Sequence, residues 1–492
     1  MAMSSRRQFL GDSALAAAML AVGPFRNALA DASDEPIMPQ RKKRAGDPLP
    51  TAVVGVHAQG LQHLDAYLRN PNTEIAYIVD VDERIGRACA ESVGRRQRRK
   101  PKFVRDLRRA LDDRSVQLVS IAAPNHWHAL AAIWSMQAGK DVYVEKPISY
   151  NLSEGRRIVE AAKKYRRICQ VGTQCRSMQG VIDAIEYLKS GKLGEVRLAR
   201  GLCYKRRNSI GPKGRYQPPG EVDYNLWCGP ARMLPLTRRK FHYDWHWQRE
   251  WGNGDMGNQA SHQMDLLRWG LGLDRLADGV ITFGGRLGYE DAGDVANTEV
   301  SLFDFGDKTL VFEVRGLAAD PLRNVQIGAI FYGSEGYLAI TSHTAAAAFD
   351  PSGRCVQQFD GVGDHFGNFV DAVQTRDPKR LRSDAIEGHL SSALCHLANM
   401  SYYLGQRASP GDIQTALAAI KTREDVNDCL DRTFAHLKAN RVDLEKTPLS
   451  LGPTLRIDTQ SETVVGHPDA NAMLTRDGGG RAPFVVPKSG EV

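Results

Sequence analysis

Beyond its first thirty residues the chain has no run of about 18 apolar residues, the length that spans a bilayer, which excludes a multi-pass membrane protein. It has eight cysteines but no Cys-x-x-Cys pair, so a zinc ribbon or redox dithiol is not expected. Charge of one sign is also scarce. Lys plus Arg number 65 and Asp plus Glu 57, and the resulting +8 on 492 residues does not by itself argue for a nucleic-acid partner. The one dense basic run, Arg95, Arg96, Arg98, Arg99 and Lys100, has no aromatic residues interleaved and reads as a solvated face. Apolar residues are not lacking. At 42% they exclude disorder as the main state, and the length calls for two or three domains.

The first thirty residues read as an address. Arg6-Arg7 precedes Phe9-Leu10, an apolar run covers Ala14 to Val22, and Ala28-Leu29-Ala30 offers a cleavage site. The pattern looks like a twin-arginine export signal, so a periplasmic protein beginning near Asp31 is expected. Losing Arg6, Arg7, Arg26 and Asp12 with it lowers the formal charge from +8 to +6. That route carries folded proteins, so a cofactor can be loaded before transport. Residues 31–47 lack an apolar period and read as a linker. After signal removal no membrane span is expected.

Residues 48–168 alternate strand and helix. Thr51–Gly55, Ile75–Val79, Val116–Ala123 and Asp141–Val144 read as buried parallel strands, with helices over Leu61–Leu68, Arg84–Val93, His128–Gly139 and Ser153–Lys164. Such alternation means βαβ units and a doubly wound sheet. Gly55, His57 and Gly60 occupy the positions of a G-x-G-x-x-G turn, with His57 where the middle glycine would let a pyrophosphate approach. Asp80 ends the second strand, where a carboxylate binds ribose hydroxyls and repels a 2′-phosphate. NAD is therefore favoured over NADP.

Val142-Tyr143-Val144 leads into Glu145-Lys146-Pro147. Ligands of doubly wound sheets lie beyond the carboxyl ends of strands, so Lys146 can reach a reacting carbon there. The segment resembles the Gfo/Idh/MocA family (glucose-fructose oxidoreductase, inositol dehydrogenase, rhizopine catabolism). Ala122-Ala123-Pro124-Asn125-His126-Trp127-His128 is similar to that family's strand-end loop against the nicotinamide. Gln170 to Arg176 is similar to its crossing into a second domain.

The resemblance covers roughly residues 48–440. It implies an α/β protein: an N-terminal Rossmann domain, then over residues 169–440 a large, mostly antiparallel sheet with helices on one side and an open face forming the substrate site. Strands fit at Val196–Cys203, Val280–Phe283, Thr298–Phe303, Thr309–Val314 and Val325–Tyr332, with a hairpin turn at Gly333–Gly336. The resemblance implies NAD contacts at Gly55, His57, Gly60, Asp80, Pro124, Asn125, His128, Glu145 and Lys146.

Gly252 to His262 resembles the family's Gly-rich loop and catalytic helix. Spacing i, i+4 puts positions 258 and 262 on one helical face. The family's Asp is replaced by Asn258, which binds a hydroxyl but takes no proton. Proton transfer then falls to His262, or to Lys146 if burial depresses its pKa.

Phe241 to Trp247, followed by Trp251, crowds aromatics, two histidines and an acid beside this helix. Sugars bind on such faces, which makes Trp227, Tyr243, Trp245, His246 and Asp255 substrate candidates, with Arg176 added at the domain crossing. His242, His246 and Asp255 match no closed metal-site spacing, and no metal is expected. Helices over Asp364–Asp371 and Glu387–Asn399 are expected to return to the first domain. Residues 441–492 read as an arm lying on a neighbouring subunit of a homo-oligomer, or as a loose tail.

Taken together, these residues predict an NAD-dependent oxidoreductase moving hydride between a sugar carbinol carbon and a tightly held nicotinamide. Two alternatives stay open. One is a redox-neutral glycosidase or lyase using transient oxidation. The other is a carbohydrate-binding protein with a decayed cofactor site.

Overall fold

A computed structural model describes residues 47–420 and 422–492. The export signal and all of the linker except Asp47 lie outside the described residues.

The first sheet is parallel and six-stranded: β1 (Leu49–Val54), β2 (Thr73–Val79), β3 (Lys102–Val104), β4 (Leu118–Ile121), β5 (Asp141–Val144) and β6 (Cys169–Val171), in the order β3-β2-β1-β4-β5-β6. β4 and β5 are buried at every position, as strands covered on both faces must be. Helices α1 (Gln59–Arg69), α2 (Glu83–Gly94), α3 (Asn125–Gln137) and α4 (Leu152–Tyr165) make the crossovers. Asp82 caps α2 by accepting the Ile85 N–H at 3.0 Å. Strand order reverses between β1 and β4, which opens a crevice at their carboxyl ends.

After α5 (Gln179–Lys189) comes the second sheet. β7 (Val196–Cys203) sits at its middle, and α6 (Gly254–Asn258) and α7 (Ala260–Leu271) come before β8 (Gly279–Gly285), β9 (Thr298–Asp304), β10 (Thr309–Arg315), β11 (Ile327–Gly333), β12 (Gly336–Ile340), β13 (Ala345–Phe349) and β14 (Cys355–Asp360). The order is β14-β13-β12-β11-β7-β10-β9-β8, antiparallel except for the parallel pair β7–β10. One face packs Phe312, Phe331 and Ile340 against α5, α7 and α9 (Ala385–Tyr403), with α8 (His365–Thr375) preceding α9 in the chain.

Over β8, β9 and β10 the other face is not open, contrary to what the resemblance implies. Ile281, Phe283, Leu302 and Val311 are covered by Ile413, Leu417, Leu430 and Leu437 of α10 (Pro410–Ala418) and α11 (Val426–Ala439). Both faces of β9 and β10 carry apolar side chains, and each requires a cover.

Phe369, Val370 and Val373 of α8 complete the first domain's core on one side. The arm is neither loose nor extended away from its own chain. Short strands at Ser450–Leu451 and Leu455–Asp458 pair with β8. Phe484, Val486 and Val492 then pack among the first domain's buried residues. All eight cysteines are unpaired, and only Cys355 is exposed. Among the described residues no helix is long and apolar enough to cross a membrane. The Arg95–Lys100 segment is surface, with Arg96 held 2.7 Å from Asp65.

Candidate active site

The crevice collects the ends of β1, β2, β4 and β5. Gly55 follows β1 with φ +77°, and a Cβ there would stand 2.7 Å from the Ala122 carbonyl oxygen. At Gly60 a Cβ would be 1.8 Å from the Gly55 oxygen. Strand-to-helix packing therefore demands both glycines, before any ligand is considered. The middle position carries no such demand. His57 is exposed, and its ring stacks on His242 at 4.9 Å and 11°. His242 in turn meets Asp82 through Nε2 at 3.0 Å.

Asp80 accepts the Val56 N–H at 2.8 Å and the Asp82 N–H at 2.9 Å, so the carboxylate clasps the turn. Burial raises its pKa, against the pull of those two N–H groups. A strand-end acid above two obligatory glycines, with the Lys146 ammonium across the crevice, is a donor set that fits a dinucleotide.

Glu145 is 4% exposed and its carboxylate is engaged by protein groups. It accepts from Gln174 Nε2 at 2.9 Å, Gln59 Nε2 at 3.1 Å and the Lys146 N–H at 3.2 Å, and meets His63 Nε2 at 3.1 Å. Burial pushes its pKa up, but His63 and Lys146 outweigh burial and the net shift is downward. Glu145 is thus an anchor for the strand end rather than a cofactor ligand. His128 is corrected likewise. Its two ring nitrogens face the Pro147 and Ala123 carbonyl oxygens at 2.6 and 2.7 Å, tying the ends of β4 and β5 together. Pro124 opens α3, and Asn125 donates to Asn253 Oδ1 at 3.0 Å.

Lys146 and Asn258 meet directly. Lys146 Nζ donates to the Asn258 backbone oxygen and to Oδ1, each at 2.9 Å. An ammonium has three donors, so one remains for a ligand. Burial lowers the Lys146 pKa, opposed by Glu145 and Asp255 and aided by Lys205 and Arg207. Asn258 therefore holds the lysine through Oδ1 instead of offering that atom to a substrate hydroxyl. His262, one turn along on α7, is 6% exposed. Burial holds its pKa well below the ordinary histidine value, with Lys146 and His343 adding to the effect, so its imidazole is neutral and weakly basic. Its Nδ1 is buried without a hydrogen-bond partner.

The substrate candidates divide. Arg176 is 8% exposed and forms ion pairs with Asp265 at 2.7 Å and Glu387 at 2.8 Å, which makes it an internal brace. Trp227 packs with Phe241 and Trp251 in a core cluster, with the Arg238 guanidinium 4.9 Å over its ring. Trp245 is 7% exposed in the same cluster. Its ring stacks on His246 at 3.7 Å, and His246 Nδ1 lies 2.6 Å from the Tyr243 oxygen. Asp255 is buried and takes both arms of Arg207, at 2.8 Å to Nε and 2.5 Å to Nη2. Tyr243 remains accessible, 44% exposed, with its hydroxyl 3.4 Å from Arg207 Nη1. His242, His246 and Asp255 each have a different protein partner and do not form a metal cluster.

Arg207 and Lys205, just after β7, were not singled out from the sequence. Nor were Cys175 and His343. Cys175 Sγ and ring nitrogens of His262 and His343 all lie within 4.8 Å of one another. In the uncomplexed protein burial pushes the Cys175 thiol pKa up to about 12.

Comparisons with known proteins agree with this geometry. A levoglucosan dehydrogenase from Pseudarthrobacter phenanthrenivorans is 28% identical over 168 residues, which is 34% of this chain and 36% of that enzyme. An α-N-acetylgalactosaminidase from Shewanella oneidensis is 24% identical over 147 residues, 29% of this chain and 32% of that protein. The chain thus spans about a third of the length of these curated relatives. Among solved structures, levoglucosan dehydrogenase in complex with NADH and levoglucosan shares the fold with a TM-score of 0.55 at 19% identity, covering 72% of this chain and 96% of that one. Residues 49–173 match an oxidoreductase family with an NAD-binding Rossmann fold. Over that domain the chain is similar to the Gfo/Idh/MocA oxidoreductases.

Proposed function

We propose that this protein oxidises or reduces a carbinol carbon of a sugar, with NAD held tightly in the crevice of the first domain. The observation that carries the reading is Lys146 Nζ, fixed 2.9 Å from both acceptors of Asn258 with its third donor free. Bound NAD supplies the hydride acceptor. The chain's own groups do the rest. With two N–H bonds given to Asn258, the neutral Lys146 amine takes the hydroxyl proton at its remaining position as the carbon is oxidised, for which its lowered pKa suits it. The ammonium so formed points its third donor at the substrate oxygen and stabilises negative charge there. His262, neutral and more weakly basic, donates its one ring N–H to the same oxygen. Tyr243 and Arg207 line the outer approach. The test is to denature the purified protein and weigh what is released. NAD is the expected species. NADP would refute the role given to Asp80, and no dinucleotide would favour a binding protein.

The redox-neutral alternative draws support from the likeness to the α-N-acetylgalactosaminidase. Cleavage of a glycoside with no net change in bound nicotinamide would favour it. We further propose export to the periplasm, on the strength of Arg6-Arg7 and Ala28-Leu29-Ala30. Replacing both arginines by lysine is expected to strand the precursor in the cytoplasm, as seen by cell fractionation, and unchanged export would overturn the proposal.

A further inference from the structure

Three ligand-type side chains meet where the chain crosses between domains. Cys175 lies on the turn Gln174–Ser177, His262 on α7, and His343 on the exposed connection between β12 and β13. Their ligating atoms lie within 4.8 Å of one another, and among the described residues no other trio of His, Cys, Asp or Glu does so. A second observation points the same way. His262 Nδ1 is buried with no partner, whereas buried polar atoms are nearly always bonded.

We propose that Cys175, His262 and His343 form a Zn²⁺ site with an open fourth position. One thiolate and two imidazoles are a borderline-soft set that suits zinc, while hard cations such as Mg²⁺ prefer oxygen. Three protein ligands leave one coordination position for water or a substrate oxygen, as in catalytic zinc sites. Zinc bonds of about 2.0–2.3 Å place tetrahedral ligands roughly 3.5 Å apart. The trio must therefore close by at most about 1 Å, and His343 is the one exposed member of the three. Lys146 and Lys205 both act electrostatically on the two histidines and oppose a second cation. The negative charge of the thiolate offsets them, and its proton is released as the metal binds. The inference goes beyond the oxidoreductase reading and does not depend on it.

The test uses the purified full-length protein, stripped with a chelator and titrated with Co²⁺. One ion per chain is expected, with the near-ultraviolet charge-transfer band of a cobalt thiolate, and Zn²⁺ should abolish the band. His343→Ala, at an exposed position, should keep the native circular dichroism and bind Co²⁺ at least ~10-fold more weakly. Cys175→Ser should lose the band. No band in the wild type at millimolar Co²⁺, or a band that persists in Cys175→Ser, would overturn the site. Dinucleotide release is a separate readout, so either result leaves the other standing.

Discussion

Lys146 shows how one charge is set by several neighbours. Asp255 raises its pKa while burial, Lys205 and Arg207 lower it. Asp255→Asn removes an opposing negative charge and frees Arg207 to act at full strength, and both changes lower the Lys146 pKa further. If the neutral amine takes the proton during oxidation, the rate rises with pH through that pKa. The rising limb is therefore expected to move to lower pH in a kcat/KM profile. A shift the other way would remove Lys146 as proton carrier. Lys146, Asn258 and His262 could be singled out in the sequence because each belongs to a short motif, and the structure adds that Lys146 and Asn258 bond directly. Arg176 and Trp227 were misread because what occupies them is remote. The acids that hold Arg176, Asp265 and Glu387, lie far along the chain and carry no local mark. The Cys175–His262–His343 trio was invisible for the same reason, since its members come from three elements.

At the scale of elements, the second sheet is locked by charges as well as apolar contacts. Glu313 on β10 is fully buried and bonds Arg200 and Arg432, the latter through two contacts of 2.9 Å, and accepts from the Tyr204 hydroxyl at 2.5 Å. Those arginines, with Arg315, drive its pKa down against the effect of burial. Glu313→Ala would leave Arg200, 3% exposed, with Glu424 as its remaining acid and take the anchor from α11. A loss of about 3–5 kcal/mol is expected in denaturant unfolding, and an unchanged midpoint would show that the network does not hold the helix. The strands of this sheet were readable as alternating or continuous apolar runs. The cover formed by α10 and α11 was not deduced, although Val311 and Leu302 already placed apolar groups on the face read as an open substrate site.

For the whole molecule, the arm closes the chain on itself. Phe484 packs 5.5 Å from Trp127 and 6.3 Å from Trp134, with Arg108 over its ring at 5.6 Å. Glu462 bonds Arg156 and His389 at 2.9 Å each, and Arg476 bonds Glu154 at 3.0 Å. Phe484→Ala opens a hole between two tryptophans and is expected to destabilise the first domain by ~3 kcal/mol, measured as a lower thermal midpoint. An equal midpoint would make the arm dispensable. Two arm strands add to a sheet, and its aromatic anchor fills a gap in the other domain. Neither fact could be read from residues 441–492 alone, because their partners lie in the domains that the arm joins.

The placement of Phe484, Val486 and Val492 among the first domain's core residues also fixes an order in time. A ribosome makes the dinucleotide domain first, yet side chains that finish its core are made only after the whole second domain. Until they emerge, the earliest domain carries an unfilled apolar surface, and domains that fold during synthesis normally do so from the N-terminus onward. Here that sequence is broken by design of the topology: the first domain to appear is the last to be completed, and a truncated product betrays itself by the gap it leaves at Trp127 and Trp134.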